Sequence, residues 1–311
     1  MTNPAVDLHA PVLAWYAGHQ RDLPWRAADA SAWSVLVSEV MLQQTPVARV
    51  EPVWRRWMQR WPTPEALAAE PAGEAVRAWD RLGYPRRAVR LHACAVAIVD
   101  RHEGHVPHNE PDLLALPGVG TYTAAAVAVF AFGRRACVVD TNVRRVLARA
   151  CTGVALGAPS LTRAETQLAA ACVPGDRAAS VTWNVAVMEL GALLCTARSP
   201  ACDTCPINDR CAWLLAGSPA YTGPAHKGQA WQGTDRQCRG RILQALRDHD
   251  RWLAQDEFAE VWPDNSEQRE RCLAALVREG LIEAAHDPPH APIAPPSREL
   301  EGAIWYGFGS G

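Results

Sequence analysis

Four of the ten cysteines fall between residues 195 and 211, as Cys195, Cys202, Cys205 and Cys211 in the pattern C-x6-C-x2-C-x5-C. Thiolates are soft ligands, suited to zinc or to the iron of iron–sulfur clusters. A zinc ribbon usually brings two C-x2-C pairs a dozen or more residues apart. Here there is one such pair, with outer gaps of six and five. The other six cysteines (Cys94, Cys137, Cys151, Cys172, Cys238 and Cys272) are scattered and read as small buried hydrophobes.

Three further groups could do chemistry. "LPGVG", Leu116 to Gly120, sets two glycines around one apolar residue, which allows a tight turn with outward amides. Those amides and the start of the following helix suit a DNA phosphate, although the same turn can simply join two helices. About twenty residues on, Asp140 precedes a helical pattern in "VVDTNVRRVLAR", as a helix cap or as a working carboxylate. Glu39 sits in "SEVMLQQT" with Val40, Met41 and Leu42; alone it reads as an exposed helix carboxylate.

Helices must position these groups. From residue 5 to 215, stretches such as "WSVLVSEVMLQQT", "VEPVWRRWMQRW" and "RRAVRLHACAVAIVDRH" carry apolar residues at three- and four-residue spacing. Short Gly/Pro breaks separate them, and strand-like alternation is scarce. The expected fold is all-α. Around Gly217 the composition shifts to "GSPAYTGPAHKGQAWQGT", a linker over 217–234. Beyond it, residues 235–311 show three helical patterns, with "LIEAA" and "AIWYGFG" as wing strands, so a small winged-helix-like domain is expected. The Pro-rich "HDPPHAPIAPPSREL" falls between those strands.

Net charge is −2, which argues against a generally basic, sticky surface. Residues 1–216 hold 21 arginines against 19 carboxylates, and residues 217–311 hold 10 cations against 14 carboxylates. Lys227 is the one lysine. Arginines cluster at Arg86, Arg87 and Arg90, at Arg134 and Arg135, and at Arg144, Arg145 and Arg149. They read equally as solvated helix faces or as phosphate contacts. No apolar run reaches the roughly 18–20 residues of a membrane span, and no leader pattern opens the chain. A cytoplasmic, nucleoid-associated protein is expected, in which clustered cysteines bind metal rather than pair.

Taken together, "LPWR" at 23–26, "SEVMLQQTPVARV" at 38–50, "LGYPRRAVRLHA" from residue 82, "LPGVGTYTA" at 116–124, "VVDTNVRRVLAR" at 138–149, "MELGALLC" at 188–195 and the cysteine pattern resemble the helix–hairpin–helix (endonuclease III) DNA glycosylase superfamily. They cover about residues 10 to 215 in order, and they look most like its adenine-specific branch. The resemblance implies a two-lobed helical catalytic domain over 1–216 with a 4Fe–4S cluster on Cys195, Cys202, Cys205 and Cys211. Its substrate would be double-stranded DNA with adenine opposite 8-oxoguanine or guanine, met by a monomer with no membrane involvement. Endonuclease III-type members carry a Schiff-base lysine two residues after the second hairpin glycine; here that residue is Tyr122. This implies a monofunctional base excision repair enzyme that cuts the glycosidic bond and leaves the strand intact. A thymine-mismatch glycosylase also tolerates Tyr there, and Glu39 argues against it. A non-catalytic DNA-binding protein would need neither Glu39 nor Asp140.

By the same resemblance, Glu39 protonates adenine near N7, and Asp140 stabilises or traps the sugar cation. Tyr122 and Asn142 hydrogen-bond nearby. Trp25, Arg26 and Leu42 form the pocket, and Glu189 accepts from the adenine amino group. Gln43 or Gln44, followed by Thr45, wedges into the gap, with Tyr84 stacking there. Leu116, Gly118, Val119 and Gly120 make the phosphate-binding hairpin. Three departures from the family stand out: Pro85 where a second Tyr is common, Trp33 where Tyr is usual, and a short C-terminal segment in place of a Nudix-like domain.

Overall fold

The computed structural model describes residues 6–223, 231–249, 251–288 and 303–309. Lys227, part of the linker and most of the Pro-rich stretch lie outside the described residues. In chain order the helices are α1 (Val6–His19), α2 (Ala32–Leu42), α3 (Val47–Arg60), α4 (Pro64–Ala68), α5 (Ala72–Ala78), α6 (Arg86–His102), α7 (Glu110–Leu114) and α8 (Thr121–Phe130). They continue as α9 (Thr141–Leu147), α10 (Arg163–Cys172), α11 (Arg177–Leu193), α12 (Ala212–Leu215), α13 (Asp235–His249), α14 (Phe258–Val261) and α15 (Ser266–Arg278). The strands are β1 (Leu253–Ala254), β2 (Glu283–Ala285) and β3 (Trp305–Gly307). No described helix is long and apolar enough to cross a membrane.

Packing divides the chain into two units that interleave in sequence. One comprises Met1–Leu36, His108–Leu114 and Val119–Lys227; the other comprises Val37–Pro107, Ala115–Gly118 and Gly228–Gly311. In the first, α1, α9 and α11 pack around Val12, Val143, Trp183, Val187 and Leu190. Local signals delimit these helices. Asp176 caps α11 by accepting from the Ala179 amide at 2.8 Å, and Thr162 and Glu165 form a reciprocal capping box on α10.

In the second unit, α3 buries Val50, Val53, Trp54 and Trp57, the i, i+3, i+4, i+7 stripe of an amphipathic helix. Trp57 meets Trp61 and Trp79 edge-on, with ring centroids 4.8 and 5.5 Å away. Such aromatic pairs add about 0.5–1.5 kcal/mol each beyond their buried area. The C-terminal segment follows the helix–strand–helix–helix–strand–strand order of a winged helix, with β3 antiparallel between β1 and β2. It packs within the second unit: Arg247 donates to the Val76 and Arg77 carbonyls, and Arg81 to Gln244. Glu279 accepts from both Arg86 and Arg239.

The arginine clusters divide between solvated faces, as one sequence reading expected, and internal clamps that neither reading offered. Arg87 and Arg149 are buried, and Arg144 and Arg145 are half-buried and turned onto internal acceptors. Arg135 donates to the Val173 and Pro174 carbonyls. Arg86, Arg90, Arg134 and Arg135 are exposed. Four scattered cysteines (Cys94, Cys172, Cys238, Cys272) are buried as expected, whereas Cys137 and Cys151 are half-buried.

Candidate active site and cluster loop

Of the residues expected to act, Trp25, Arg26, Val119, Gly120, Tyr122, Asp140, Asn142, Glu189 and the four clustered cysteines belong to the first unit. Glu39, Leu42, Gln43, Gln44, Thr45, Tyr84, Leu116 and Gly118 belong to the second.

Asp140 is the N-cap of α9, with extended backbone and Oδ1 accepting from the Val143 amide at 2.7 Å. Capping leaves one oxygen over, and Oδ2 accepts from Asn142 Nδ2 at 2.7 Å. Asn142 is itself held by Arg145, whose Nη2 donates to its Oδ1 at 2.8 Å and to the Gly191 carbonyl at 2.7 Å. Burial pushes the Asp140 pKa above the ordinary aspartate value, while the Val143 and Asn142 hydrogen bonds and the Arg145 charge oppose that rise. Two residues not singled out from the sequence set this geometry. Asn184 of α11 pins the chain ahead of Asp140, accepting from the Val138 amide at 2.8 Å and donating to the Ala136 carbonyl at 3.0 Å. Gly191 lets α9 approach α11, since a Cβ there would lie 2.7 Å from that of Asn142. Tyr122 packs on the same small cluster as Val138, in the first turn of α8.

Glu39 lies on α2 and is 5% exposed. This differs from the exposed carboxylate that isolated sequence would suggest. The helix ends at Leu42, and Gln44 takes a left-handed conformation, φ +56. Arg87 controls this end. Its Nη1 donates to the carbonyls of Val40, Met41 and Gln43 at 2.9, 3.0 and 2.5 Å. These are the terminal carbonyls a helix cannot satisfy internally, and a cation there also matches the helix dipole. Its Nη2 donates to Thr45 Oγ1 and to the Gly83 carbonyl, each at 3.0 Å, so the same guanidinium ties the loop carrying Tyr84. Tyr84 is also left-handed, φ +48, and 46% exposed. Burial lowers the Arg87 pKa to about 10, so it stays charged at neutral pH. Arg87→Met is expected to lose about 3–5 kcal/mol, because several carbonyls are left buried and unpaired. Thermal unfolding checks this through a drop of roughly 6–15 °C. Arg87→Lys should also be poor, since an ammonium lacks the planar fork that reaches both loops. An unchanged midpoint in both variants refutes the clamp.

Glu189 is fully buried, and its carboxylate is occupied. Oε1 accepts from the Arg21 amide and Nε at 3.0 and 2.7 Å, and Oε2 from Arg21 Nη2 and Arg26 Nη2 at 2.8 and 3.1 Å. Burial would raise its pKa, but the hydrogen bonds and charges of Arg21 and Arg26 prevail and bring it to about 2. Among the described residues the buried Arg26 Nη1 has no hydrogen-bond partner, and Trp25 beside it is buried.

The hairpin glycines differ in their reasons. Gly118 has φ +78, and a Cβ there would sit 2.9 Å from Cβ of Arg90. Gly120 caps α8 with open space around it, and no side chain caps the amides of that first turn. Leu116 and Val119 are buried and seat the turn.

All four clustered cysteines line one pocket, together with Leu190, Ile207 and Trp213 and with no carboxylate or imidazole. An all-thiol donor set on one short loop is what an iron–sulfur group takes. Arg149 donates to Cys195 Sγ at 3.3 Å and to the Thr196 and Ala197 carbonyls, and lies 4.5 Å from the Trp213 ring centroid. Hydrogen bonds of this kind orient and tune such ligands. Arg145 also reaches this loop, donating from Nε to the Cys195 carbonyl at 2.6 Å.

Residues 37–168 match the HhH-GPD superfamily of base excision DNA repair proteins, and residues 195–211 match the iron-sulfur binding domain of endonuclease III. The fold is similar to that of a thermostable thymine-DNA glycosylase, with TM-score 0.61 and 28% identity over 68% of this chain and 97% of that one. The adenine DNA glycosylase of Mycolicibacterium smegmatis is 50% identical over 276 residues, 89% of this chain and 92% of the relative. That of Mycobacterium tuberculosis is 49% identical over 283 residues, 91% of this chain and 92% of the relative. Similarity of this extent reaches past the iron–sulfur loop into the C-terminal segment, and the chain belongs to the adenine DNA glycosylase family.

Proposed function

We propose that this protein removes adenine from DNA where it is mispaired with 8-oxoguanine or guanine, as a monofunctional glycosylase of base excision repair. The observation that carries the reading is a pair of carboxylates, each fixed in its own unit: Glu39 buried near the end of α2, and Asp140 anchored at the start of α9. Adenine is a poor leaving group until protonated, and a buried carboxyl favours its neutral, proton-donating form. Glu39 delivers the proton near N7. Loss of the base leaves an oxocarbenium-like sugar, which the Asp140 carboxylate stabilises or traps until water attacks. Asn142 holds Asp140, and Tyr122 stands where a Schiff-base amine would otherwise be, so no strand cleavage accompanies base loss.

The adenine first leaves the duplex, at a cost of a few kcal/mol. By the family resemblance, Trp25 and Leu42 receive it. Arg26 offers the base its unpartnered Nη1, and Glu189 aims that guanidinium. This amends the direct contact expected of Glu189, since both its oxygens are already engaged. Gln43 or Gln44 fills the gap and reads the opposite base, with Tyr84 stacking there, while the buried Thr45 fastens that loop through its hydrogen bond from Arg87. Leu116, Gly118, Val119 and Gly120 present the uncapped amides of α8 to a phosphate. The iron–sulfur cluster on Cys195, Cys202, Cys205 and Cys211 gives the loop its fixed shape. Residues 1–216 act as the catalytic segment, 217–234 as a linker and 235–311 as a winged-helix-like appendage, in a monomer.

Single-turnover base release tests this on duplexes with adenine opposite 8-oxoguanine, adenine opposite guanine, and thymine opposite guanine. The expected result is adenine loss that becomes strand breakage only after alkali. Thymine release, or breakage without alkali, overturns the reading. Equal rates opposite 8-oxoguanine and guanine overturn its preference for the oxidised partner.

A further inference from the structure

The mechanism above leaves the C-terminal segment without a task. Its first helix, α13, begins with a tight local cap. The Thr234 hydroxyl and amide both donate to the Trp231 carbonyl, at 2.7 and 3.3 Å, and the Gly233 amide donates to Gln237 Oε1 at 2.8 Å. The cap holds Trp231 beside Arg236, whose guanidinium carbon lies 5.3 Å from the Trp231 ring centroid. The same carbon lies 5.3 Å from the ring centroid of Tyr84. Arg87 approaches that ring too, at 5.6 Å. Tyr84 and Trp231 are 46% and 52% exposed, so this cluster of two rings and a guanidinium is open to solvent.

Contacts along α13 keep Arg236 in place. Arg239 shares Glu279 with Arg86, Gln244 accepts from Arg81, and Arg247 donates to the Val76 and Arg77 carbonyls. Positions 236, 239, 244 and 247 recur at helical spacing and run against the segment from Tyr84 back to Val76. Tyr84 needs such support. It is a left-handed non-glycine residue directly before a proline, a costly backbone state, and its exposed ring has little packing of its own.

We infer that Arg236 is a positioning residue for mispair reading, by which the C-terminal segment holds the Tyr84 ring ready to stack on the base opposite adenine. This rests on the assignment of Tyr84 to the gap. Aromatic rings stack on nucleobases without regard to sequence, and a cation over a ring at an exposed site contributes a modest, measurable attraction.

The test uses the full-length, cluster-loaded protein and a duplex with non-hydrolysable 2′-fluoro-deoxyadenosine opposite 8-oxoguanine. Binding is measured at fixed salt, because phosphate contacts vary with it. Arg236→Ala is expected to weaken binding about three- to fivefold, with a smaller effect on the saturated single-turnover rate. Arg236→Lys should recover part of the loss, and in a Tyr84→Leu background Arg236→Ala should add nothing further. An equal loss in both backgrounds overturns the inference, because Arg236 would then act on phosphate independently of the ring. If Tyr84→Leu weakens binding and Arg236→Ala does not, the inference fails while the Tyr84 assignment stands. If Tyr84→Leu itself changes nothing, that assignment fails, and the inference with it.

Discussion

Glu39→Gln is expected to slow adenine release by about 100- to 10,000-fold in single turnover, while affinity for the duplex stays within roughly twofold. The amide has the shape of the acid and can still donate a hydrogen bond, but it cannot deliver a proton to the departing base. Gln keeps the size of the buried Glu39 side chain, and thermal unfolding of the variant beside its rate separates loss of chemistry from loss of fold. The measurement is base release at saturating enzyme beside a binding isotherm on uncleaved substrate. Turnover at the wild-type rate would remove Glu39 from the mechanism.

Asp140→Asn should cost about 100- to 1,000-fold in the same assay, because the developing positive charge on the sugar loses its facing carboxylate. The choice of asparagine separates two jobs. Asn is as good an N-cap as Asp, so the bond from the Val143 amide, 2.7 Å in the native protein, can persist and unfolding should shift by less than about 1 kcal/mol. The other end of the side chain would set an NH2 group against Asn142 Nδ2, which now donates to Oδ2. Asp140→Ala removes the cap as well and should add about 1 kcal/mol of instability to a similar kinetic loss. If Asp140→Asn is as active as the native protein while Asp140→Ala is not, the residue is a cap and nothing more.

The chemistry-bearing residues and the helical class were legible in the amino-acid sequence by itself. Four cysteines in seventeen residues announce a soft-metal site, because the spacing is covalent and local. The hairpin glycines, the cap at Asp140 and the apolar stripe of α3 are likewise short-range signals, set by φ, by hydrogen-bond reach and by the 3.6-residue turn. The absence of lysine from residues 1–223 is a property of composition and needed no fold.

Only the tertiary structure decided which arginines face solvent. Arg86 and Arg87 are neighbours in a run of like charge, yet one joins a surface ion pair and the other is buried with a fan of carbonyls. The difference depends on where α2 and the loop from Leu82 end, which are about forty residues apart in the chain. Gly191 and Asn184 went unread for the same reason. Each serves a partner nearly fifty residues away, and neither glycine nor asparagine inside a helix advertises who will approach it. Glu189 reads in sequence as a base contact, and in the structure it is also the counter-ion of Arg21 and Arg26, a pairing made across more than 160 residues. A change in composition suggests a boundary at Gly217, whereas packing groups the C-terminal helices with residues 37–107. Local signals are read from neighbours in sequence, but burial, ion pairing and the division into units are set by neighbours in space.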